Sequence, residues 1–338
     1  MHSVKSWALR SALVVTLALA ATCSSPTTPT PPPPPPPPPV ALPPALFCVD
    51  GVSRATGNAA GMAINFDTPA LTGGQGSVTV TCSPQSGEMF PIGTTEVTCK
   101  ATDTINRTSE CRFNVTVSKL AELSRTKYLA FGDSITAGEV TFPVGPTSFH
   151  GADVINKQVV VPSAAYPTVL LSTLQGRYAS QASSIVVVNA GLGGERTINA
   201  RARFLQALNT HNPEVVLLWH GHNDIPGGQD GAASSAANEL RVMTSEARLR
   251  GMRVFLATLS PPRPSGNKAI GQIYIDDFNN RIRAVAASEG AVLVDIYGAL
   301  LPDVTRWVGV DGLHPNEAGY SKVAEVFFQA IQANFEVR

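Results

Sequence analysis

Short, continuous apolar runs recur along the C-terminal two thirds of the chain. They are Tyr128–Phe131, Ile185–Val188, Val215–Leu218, Val254–Ala257 and Ala291–Val294. Such runs are typical of strands in a parallel sheet that is covered on both faces. Helical patterns lie between them, and the last one is predicted to run from about Glu317 to Ala333. Strands that alternate with helices predict a three-layer α/β/α domain with a five-stranded parallel sheet.

A different pattern, the alternation of apolar with small or polar residues, covers the region from Phe47 to about Val117. The alternating sets are Met62, Ile64 and Phe66; Val78, Val80 and Cys82; Val97, Cys99 and Ala101; and Cys111, Phe113, Val115 and Val117. Period-two alternation places each set on one face of a strand. The region is therefore predicted to form a small all-β module.

The chain has five cysteines, and four of them lie in this β region. Cys82, Cys99 and Cys111 belong to the apolar, inward-facing sets, where core disulfides of a small sandwich would form in an oxidising compartment. With Cys48 they allow three pairings, and the sequence does not choose among them. Cys23 is the remaining, odd cysteine.

The chain starts with a short basic and polar segment, followed by the apolar run 12–21. The run has the length of a signal-peptide core, so residues 1–22 are predicted to form an export signal; a retained membrane anchor is the alternative. Ala20-Ala21-Thr22-Cys23 resembles a bacterial lipobox, although Ala20 and Thr22 depart from its usual residues and ordinary signal-peptidase cleavage stays open. The protein is thus predicted to be secreted or, if Cys23 is lipidated, to be a cell-envelope lipoprotein.

Residues 23–46 are predicted to be a linker, because Ser, Thr and Pro dominate them and the run Pro31–Pro39 is unbroken. Proline fixes φ and removes the amide donor, which favours a stiff polyproline II spacer of roughly 3 Å per residue. A recognition ligand for an SH3-like partner is the alternative. The two folded units are predicted to span 47–118 and 124–338.

The charge of the chain only argues against certain binding partners. The formal net charge is zero, with 25 basic and 25 acidic residues. This balance argues against a broad electrostatic footprint for nucleic acid or for an anionic membrane surface. Hydrophobic residues make up 43% of the chain and charged residues 15%, which suits folded units joined by unstructured sequence.

Candidate chemistry follows the predicted strands, because sites in parallel sheets form beyond the carboxyl ends of the strands. After the first strand, Gly132-Asp133-Ser134 leads into a helix start. A serine hydroxyl is a weak nucleophile unless a base takes its proton, and Ser134 could equally be a helix cap. The glycine loop 191–194 follows the second strand and lets backbone amides approach a substrate oxygen; an ordinary turn is the alternative.

The third predicted strand ends in a polar cluster. The side-chain amide of Asn223 can donate a hydrogen bond to an oxyanion. His220, His222 and Asp224 could instead suggest a metal site, but no third histidine follows at a standard spacing. A metal site is therefore the weaker interpretation, and no metal or cofactor is predicted.

Asp311 and His314 stand three residues apart in the loop before the last helix. On a tight loop the carboxylate can reach the imidazole Nδ1, fix the tautomer and leave Nε2 free to accept a serine proton. The alternative is a helix-entry turn with a surface histidine.

Together, and in this order, these segments resemble the SGNH (GDSL-type) hydrolase superfamily over about 127–338. Ser134 lies in the first block, Gly194 in the second, Asn223 in the third, and Asp311 and His314 in the last. The resemblance implies a flavodoxin-like fold and a triad of Ser134, His314 and Asp311. It also implies an oxyanion hole formed by the amides of Ser134 and Gly194 and by the side chain of Asn223.

Residues 86–103 resemble the hyalin-repeat (HYR) family of immunoglobulin-like extracellular modules, although residues 104–106 depart from its usual turn. The resemblance covers most of 47–117 and implies a small immunoglobulin-like sandwich. The segment contains no histidine. It is predicted to be non-catalytic and to contact a cell surface or a polysaccharide.

The resulting hypothesis is an extracellular serine esterase that hydrolyses short-acyl or acetyl esters, with an acetylated carbohydrate or another acyl ester as its substrate. Asp133 and His222 are predicted to help bind the substrate, and the segment 139–163 to form a substrate loop or lid. Two alternatives stay open. One is an adhesion or binding protein with a non-catalytic hydrolase-like domain, and the other is a metal-dependent phosphoesterase that uses His220, His222 and Asp224.

Overall fold

The computed structural model describes residues 35, 39–143, 156–225 and 231–337. The predicted export signal at 1–22, Cys23 and most of the proline-rich linker lie outside these residues, so the interpretations made of them stay predictions. Within the described residues, no helix is long and apolar enough to cross a membrane.

The N-terminal region folds as the predicted all-β module. Its strands are β1 (Ala45–Phe47), β2 (Val52–Thr56), β3 (Met62–Ala63), β4 (Ala70–Thr72), β5 (Thr79–Ser83), β6 (Met89–Phe90), β7 (Gly93–Thr102) and β8 (Thr108–Lys119). Four of them form a sheet in the order β2-β8-β7-β5, and two short pairs, β1-β4 and β3-β6, complete the module. Val97, Cys99, Ala101, Val115 and Val117 are buried on the inward side of β7 and β8, and Phe66 packs edge-on against Phe90 and Phe113.

The disulfides join Cys48 to Cys111 and Cys82 to Cys99. Cys82 and Cys99 face each other directly in the antiparallel register of β5 and β7. Cys111 lies opposite Cys99 on the other side of β7, and its disulfide ties the start of the module to β8. The larger covalent loop spans 63 residues, so it removes much of the freedom of the unfolded chain.

The C-terminal region is the predicted three-layer α/β/α domain. Its strands are β9 (Glu122–Leu123), β10 (Lys127–Gly132), β11 (Glu139–Pro143), β12 (Asn156–Val160), β13 (Val186–Gly191), β14 (Val215–Trp219), β15 (Arg253–Ala257), β16 (Val292–Val294) and β17 (Glu336–Val337). Its helices are α1 (Ser134–Ala137), α2 (Tyr166–Arg177), α3 (Thr197–His211), α4 (Ala232–Leu249), α5 (Gln272–Glu289), α6 (Ile296–Leu300), α7 (Val304–Trp307) and α8 (Glu317–Phe335).

Five strands form one parallel sheet in the order β13-β10-β14-β15-β16, so all five predicted strands are confirmed. The central strand β14 explains why its sequence is continuously apolar. Val215, Leu217 and Trp219 point into one hydrophobic cluster, whereas Val216 and Leu218 point into the other. Helices cover both faces, so neither set of side chains meets water.

The carboxyl ends of β10, β13 and β14 meet at one edge of the sheet. Gly132 pairs there with Gly191 on one side and with Trp219 on the other. A Cβ at Gly132 would lie 2.0 Å from the Trp219 carbonyl oxygen and 2.1 Å from Thr136 Oγ1. Only glycine therefore lets the chain leave β10 and turn at once into α1.

The described ends of the segment 139–163 form an antiparallel hairpin, β11 with β12, where the sequence suggested a loop. The register pairs Glu139 with Val160 and Thr141 with Gln158, which places these four residues on one face of the hairpin. Residues 144–155 lie outside the described residues, so the role of the segment as a substrate loop or lid stays a prediction.

The chain is pinned where it enters this domain. Leu123 donates its amide hydrogen to the side chain of Gln181 over 2.6 Å and accepts a hydrogen bond from it over 3.0 Å. Strand β9 also pairs with β17 at the end of α8. The first and last strands of the domain are therefore held against each other.

Candidate active site

Ser134 is the first residue of a helix that lasts only one turn. Asp133 caps this helix, because its Oδ1 accepts a hydrogen bond from the Ile135 amide over 3.1 Å. Gly138 ends it in the left-handed conformation at φ 93°. The first amides of a helix have no partner within the helix, so the Ser134 hydroxyl stands beside its own amide, a donor without a helical partner.

His314 links Ser134 to Asp311 through two hydrogen bonds. Its Nε2 lies 2.9 Å from Ser134 Oγ, and its Nδ1 lies 2.6 Å from Asp311 Oδ2. Ser134 is 4% exposed, His314 2% and Asp311 0%. The structure thus brings together three residues that lie up to 180 positions apart, in the order that a serine nucleophile, a base and an orienting acid require.

The loop that carries Asp311 is folded around its carboxylate. Oδ1 accepts hydrogen bonds from the amides of Leu313 and His314, and Gly312 turns the chain at φ 87°. Burial alone would raise the pKa of Asp311, but the hydrogen bonds from the His314 ring and from the two amides outweigh it and lower the pKa. Asp311 therefore stays ionised and holds the Nδ1 hydrogen.

The glycine loop after β13 lies beside the nucleophile. A Cβ at Gly193 would be 4.0 Å from Ser134 Cβ, and Gly194, at φ 72°, has open space where its Cβ would be. Asn223 donates one hydrogen of its side-chain amide to the Glu195 carbonyl over 3.1 Å. An amide nitrogen carries two hydrogens, so one remains for a ligand. The predicted oxyanion donors thus lie on neighbouring loops.

Asp133 and His222 form a buried pair behind the nucleophile. Asp133 Oδ2 accepts hydrogen bonds from the His222 amide over 3.2 Å and from its Nδ1 over 3.0 Å, and both residues are 0% exposed. Burial raises the pKa of Asp133, but the His222 ring outweighs it and holds the pKa well below its usual range. Both side chains point away from solvent, and their role in substrate binding stays a prediction.

The three residues considered for a metal site are each engaged elsewhere. His220 bonds to Glu195, His222 to Asp133, and Asp224 accepts hydrogen bonds from the amide and hydroxyl of Thr197. Over the described ranges, no group of three or more His, Cys, Asp or Glu residues has an arrangement that could hold a metal ion.

Comparison with known proteins agrees with this geometry. The GDSL-like Lipase/Acylhydrolase family matches residues 130–322, more than half of the chain. The chain belongs to this family. The HYR domain matches residues 41–117, so the N-terminal module is an HYR domain as its sequence predicts.

Two curated relatives of this GDSL-type hydrolase are named as esterases. Esterase TesA of Pseudomonas aeruginosa is 29% identical over 155 residues, which cover 46% of this chain and 74% of that protein. An arylesterase of Vibrio mimicus is 24% identical over 211 residues, 62% of this chain and 90% of that protein. The lipase/acylhydrolase structure from Enterococcus faecalis shares the fold, with a TM-score of 0.50, 22% identity, and coverage of 62% of this chain and 97% of that one. The chain is thus an SGNH/GDSL-type esterase.

A second layer of charged residues holds the glycine loop of this hydrolase in place. Arg203, on α3, donates from Nε to Glu195 Oε1 over 2.9 Å and also bonds the carbonyls of Ala190 and Gly132. Its guanidinium lies 3.9 Å from the centre of the Phe131 ring. His220 accepts a hydrogen bond from the Gly221 amide at Nδ1, so its Nε2 donates to Glu195 over 3.1 Å. This network joins the ends of three strands.

The network also fixes the charge of Glu195. Burial raises the pKa of this carboxyl, but hydrogen bonds from His220 and Arg203 outweigh burial and lower the pKa to about 2. Neither Arg203 nor Glu195 was predicted from the sequence as a site residue. Arg203 lies in an amphipathic helix, where a charged residue is typical of a solvent-facing position. The sequence carries no signal that separates such an arginine from one that bonds to a carboxylate beside the site.

Two further residues that sequence analysis missed reach His314 from the β11–β12 hairpin. Glu139 Oε2 lies 3.7 Å from His314 Nε2, and Gln158 Nε2 lies 3.4 Å from His314 Nδ1. A signal existed for Glu139, since it follows the Ser134 block directly after Gly138. The sequence carries no such signal for Gln158, because the position of its side chain depends on the register of the hairpin.

The low pKa of Glu195 predicts how its contribution to stability depends on pH. A carboxyl whose pKa is lower in the folded state stabilises the fold above its unfolded pKa, and the contribution is lost as pH falls through the folded pKa. Glu195→Gln should therefore lower the free energy of unfolding by about 2–3 kcal/mol at pH 7. The difference from wild type should shrink between pH 4.5 and about 2.

Urea unfolding of wild type and Glu195→Gln at neutral and acidic pH measures this difference. Glu325→Gln, which removes an exposed carboxylate from α8, is the control and should change stability little at any pH. A difference that is the same at pH 7 and pH 3 would show that Glu195 does not act through its charge.

Proposed function

We propose that this protein is an exported esterase that hydrolyses short-acyl, above all acetyl, esters through an acyl-enzyme on Ser134. The observation that carries the proposal is a buried pair of hydrogen bonds: His314 Nδ1 donates to Asp311, and the Ser134 hydroxyl donates to His314 Nε2. Because Nδ1 donates a hydrogen bond to the ionised Asp311, the lone pair of Nε2 faces the serine hydroxyl. Ser134 is then activated at neutral pH without a metal or cofactor.

In the first half of the reaction, Ser134 Oγ attacks the ester carbonyl carbon while its proton passes to His314 Nε2. The carbonyl oxygen becomes an oxyanion that accepts hydrogen bonds from the amides of Ser134 and Gly194 and from the Asn223 side chain. When the tetrahedral intermediate collapses, the bond to the leaving alcohol breaks and Nε2 gives the proton to the alcohol oxygen. The acyl group stays on Ser134.

In the second half, a water molecule attacks the acyl-enzyme and passes one proton to His314 Nε2. Collapse of the second intermediate breaks the bond to Ser134 Oγ, which takes that proton back. The carboxylic acid leaves and the enzyme returns to its starting state. Asp311 keeps the imidazole in place throughout and stabilises its protonated form.

Two observations support a small acyl group. Ser134 and His314 are only 4% and 2% exposed, so the described residues leave little open surface around the reacting hydroxyl. One face of the β11–β12 hairpin also reaches His314.

The names of the relatives, esterase and arylesterase, support carboxylic esters as the substrate class. Among such esters we favour acetylated carbohydrates, with other short acyl esters as the second candidate.

Ser134→Ala tests the central proposal, because it removes the attacking oxygen and leaves the buried surroundings intact. Wild type should hydrolyse p-nitrophenyl acetate faster than the butyrate, octanoate and palmitate esters, and the variant should hydrolyse none of them. A fluorophosphonate probe should label wild type alone. Near-wild-type turnover by Ser134→Ala, at an unchanged melting temperature, would refute the proposal.

Asn223→Ala tests the oxyanion hole. Loss of one such donor typically lowers kcat by about 10²–10³-fold, with a smaller effect on KM. Because Asn223 also bonds the Glu195 carbonyl, thermal unfolding must accompany the kinetics. The exposed Asn238→Ala on α4 is the matched control and should keep the wild-type kcat. An unchanged kcat in Asn223→Ala would exclude its side chain from the oxyanion hole.

We also propose that the protein acts outside the cytoplasm, with its HYR domain holding the esterase near a cell surface or a polysaccharide. The two disulfides support an oxidising compartment. The odd cysteine, Cys23, supports a lipid anchor, from which the proline-rich linker would space the folded units.

Metabolic labelling with an alkyne fatty acid tests the anchor in a bacterial host. Wild type should be labelled and found in the membrane fraction, whereas Cys23→Ala should be unlabelled. Cys82→Ala, which removes a disulfide cysteine, is the control and should keep the label. An unlabelled wild-type protein in the medium would show that ordinary cleavage and secretion occur instead.

A further inference from the structure

Glu139 is held in a fixed position beside the nucleophile. After the single turn of α1, the left-handed Gly138 donates its amide hydrogen to the carbonyls of Ser134 and Ile135 and directs the chain back. The buried Tyr320 hydroxyl donates to the Glu139 carbonyl over 2.6 Å. The backbone of Glu139 is therefore fixed from two sides.

Its carboxylate lies between the imidazole and the glycine loop. Oε2 is 3.7 Å from His314 Nε2, and a Cβ at Gly193 would meet Oε1 at 2.4 Å. The same Gly193 position lies 4.0 Å from Ser134 Cβ. These are the groups between which an ester must sit if it is to be attacked by Ser134.

The carboxylate is poorly paired within the protein. Across residues 39–143, 156–225 and 231–337, the structure gives it no hydrogen-bond donor, and His314 is the basic side chain within ion-pair distance. The side chain is 20% exposed, so one side of it faces the site opening. Asp133, Glu195 and Asp311, at the same edge of the sheet, all accept several hydrogen bonds. A partly buried carboxylate gains most from a partner that donates hydrogen bonds or carries positive charge.

We propose that Glu139 determines specificity for the leaving alcohol, by binding hydroxyl or ammonium groups on it and by disfavouring alcohols that carry negative charge. His314 Nε2 delivers its proton to the leaving oxygen, so a carboxylate 3.7 Å from Nε2 stands beside that alcohol. The inference rests on the proposed esterase function and narrows it. A sugar has free hydroxyl groups next to the esterified one, so it fits this site better than an anionic alcohol.

Three aryl acetates of similar shape test the proposal on the full chain: phenyl acetate, 4-carboxyphenyl acetate and 4-(trimethylammonio)phenyl acetate. We expect the ratio of kcat/KM for the cationic ester to that for the anionic ester to fall about tenfold in Glu139→Gln relative to wild type, because one charge is removed at short range. The comparison between variants cancels the intrinsic reactivity of the esters. Glu139→Asp should keep most of the preference, and Glu325→Gln should keep all of it.

The wild-type ratio should also narrow as ionic strength rises, because salt screens the interaction, and this second measurement does not depend on how well a variant folds. A ratio that is equal in wild type and Glu139→Gln and insensitive to salt would overturn the proposal. So would a uniform loss of kcat on all three esters in Glu139→Gln, since Glu139 would then act on the imidazole alone. Failure of wild type to hydrolyse any of the three would instead refute the esterase function, and the inference with it.

Discussion

The 2.6 Å hydrogen bond from His314 Nδ1 to Asp311 is the contact on which the site depends. It forms within a loop that is closed by two backbone amides and a left-handed glycine, where solvent does not compete. With its Nδ1 hydrogen committed, the imidazole has a single lone pair left, and this faces Ser134 at 2.9 Å. The orientation of the ring and its tautomer both follow from that bond.

Several carboxylates lie at the same edge of the sheet, and they differ in their hydrogen-bond partners. Asp133 and Glu195 stay ionised and are stabilised by hydrogen bonds from histidine rings, amides and Arg203, so they serve as fixed supports for the nucleophile turn and the glycine loop. Within the part of the chain that the structure describes, no hydrogen-bond donor gives Glu139 such support. Acidic residues that look alike in the sequence thus differ in the hydrogen-bonding capacity that remains for a ligand. The donors around each carboxylate set this difference.

Much of this architecture could be predicted from the sequence, for a physical reason. Strands buried on both faces must be continuously apolar, and glycine, serine and asparagine at their carboxyl ends are unusual enough to mark a site. The five strands and the Ser134 and Asn223 segments were recognisable on that basis, and Asp311 and His314 by their spacing in the loop before the last helix. Disulfide pairing was not, since Cys82, Cys99 and Cys111 share the inward face of one sheet and any of their pairings satisfies the alternation.

Arg203 and Gln158 could not be predicted either. The partners of Arg203 come from two strands and a loop that are distant in the chain, and its helix position is typical of a solvated residue. The contact of Gln158 with His314 depends on the pairing of β12 with β11, and a shift of one residue would turn the side chain to the other face. Tertiary packing, and not the local sequence, determines these contacts of Arg203 and Gln158.

The pairing of β9 with β17 has a consequence for how the enzyme is carried. These strands lie near the amino end of β10, whereas Ser134 follows its carboxyl end. The first and last strands of the catalytic domain thus lie on the side opposite Ser134. A tether or a neighbouring module joined to β9 therefore attaches beside the β9–β17 pair, at the other end of β10 from Ser134.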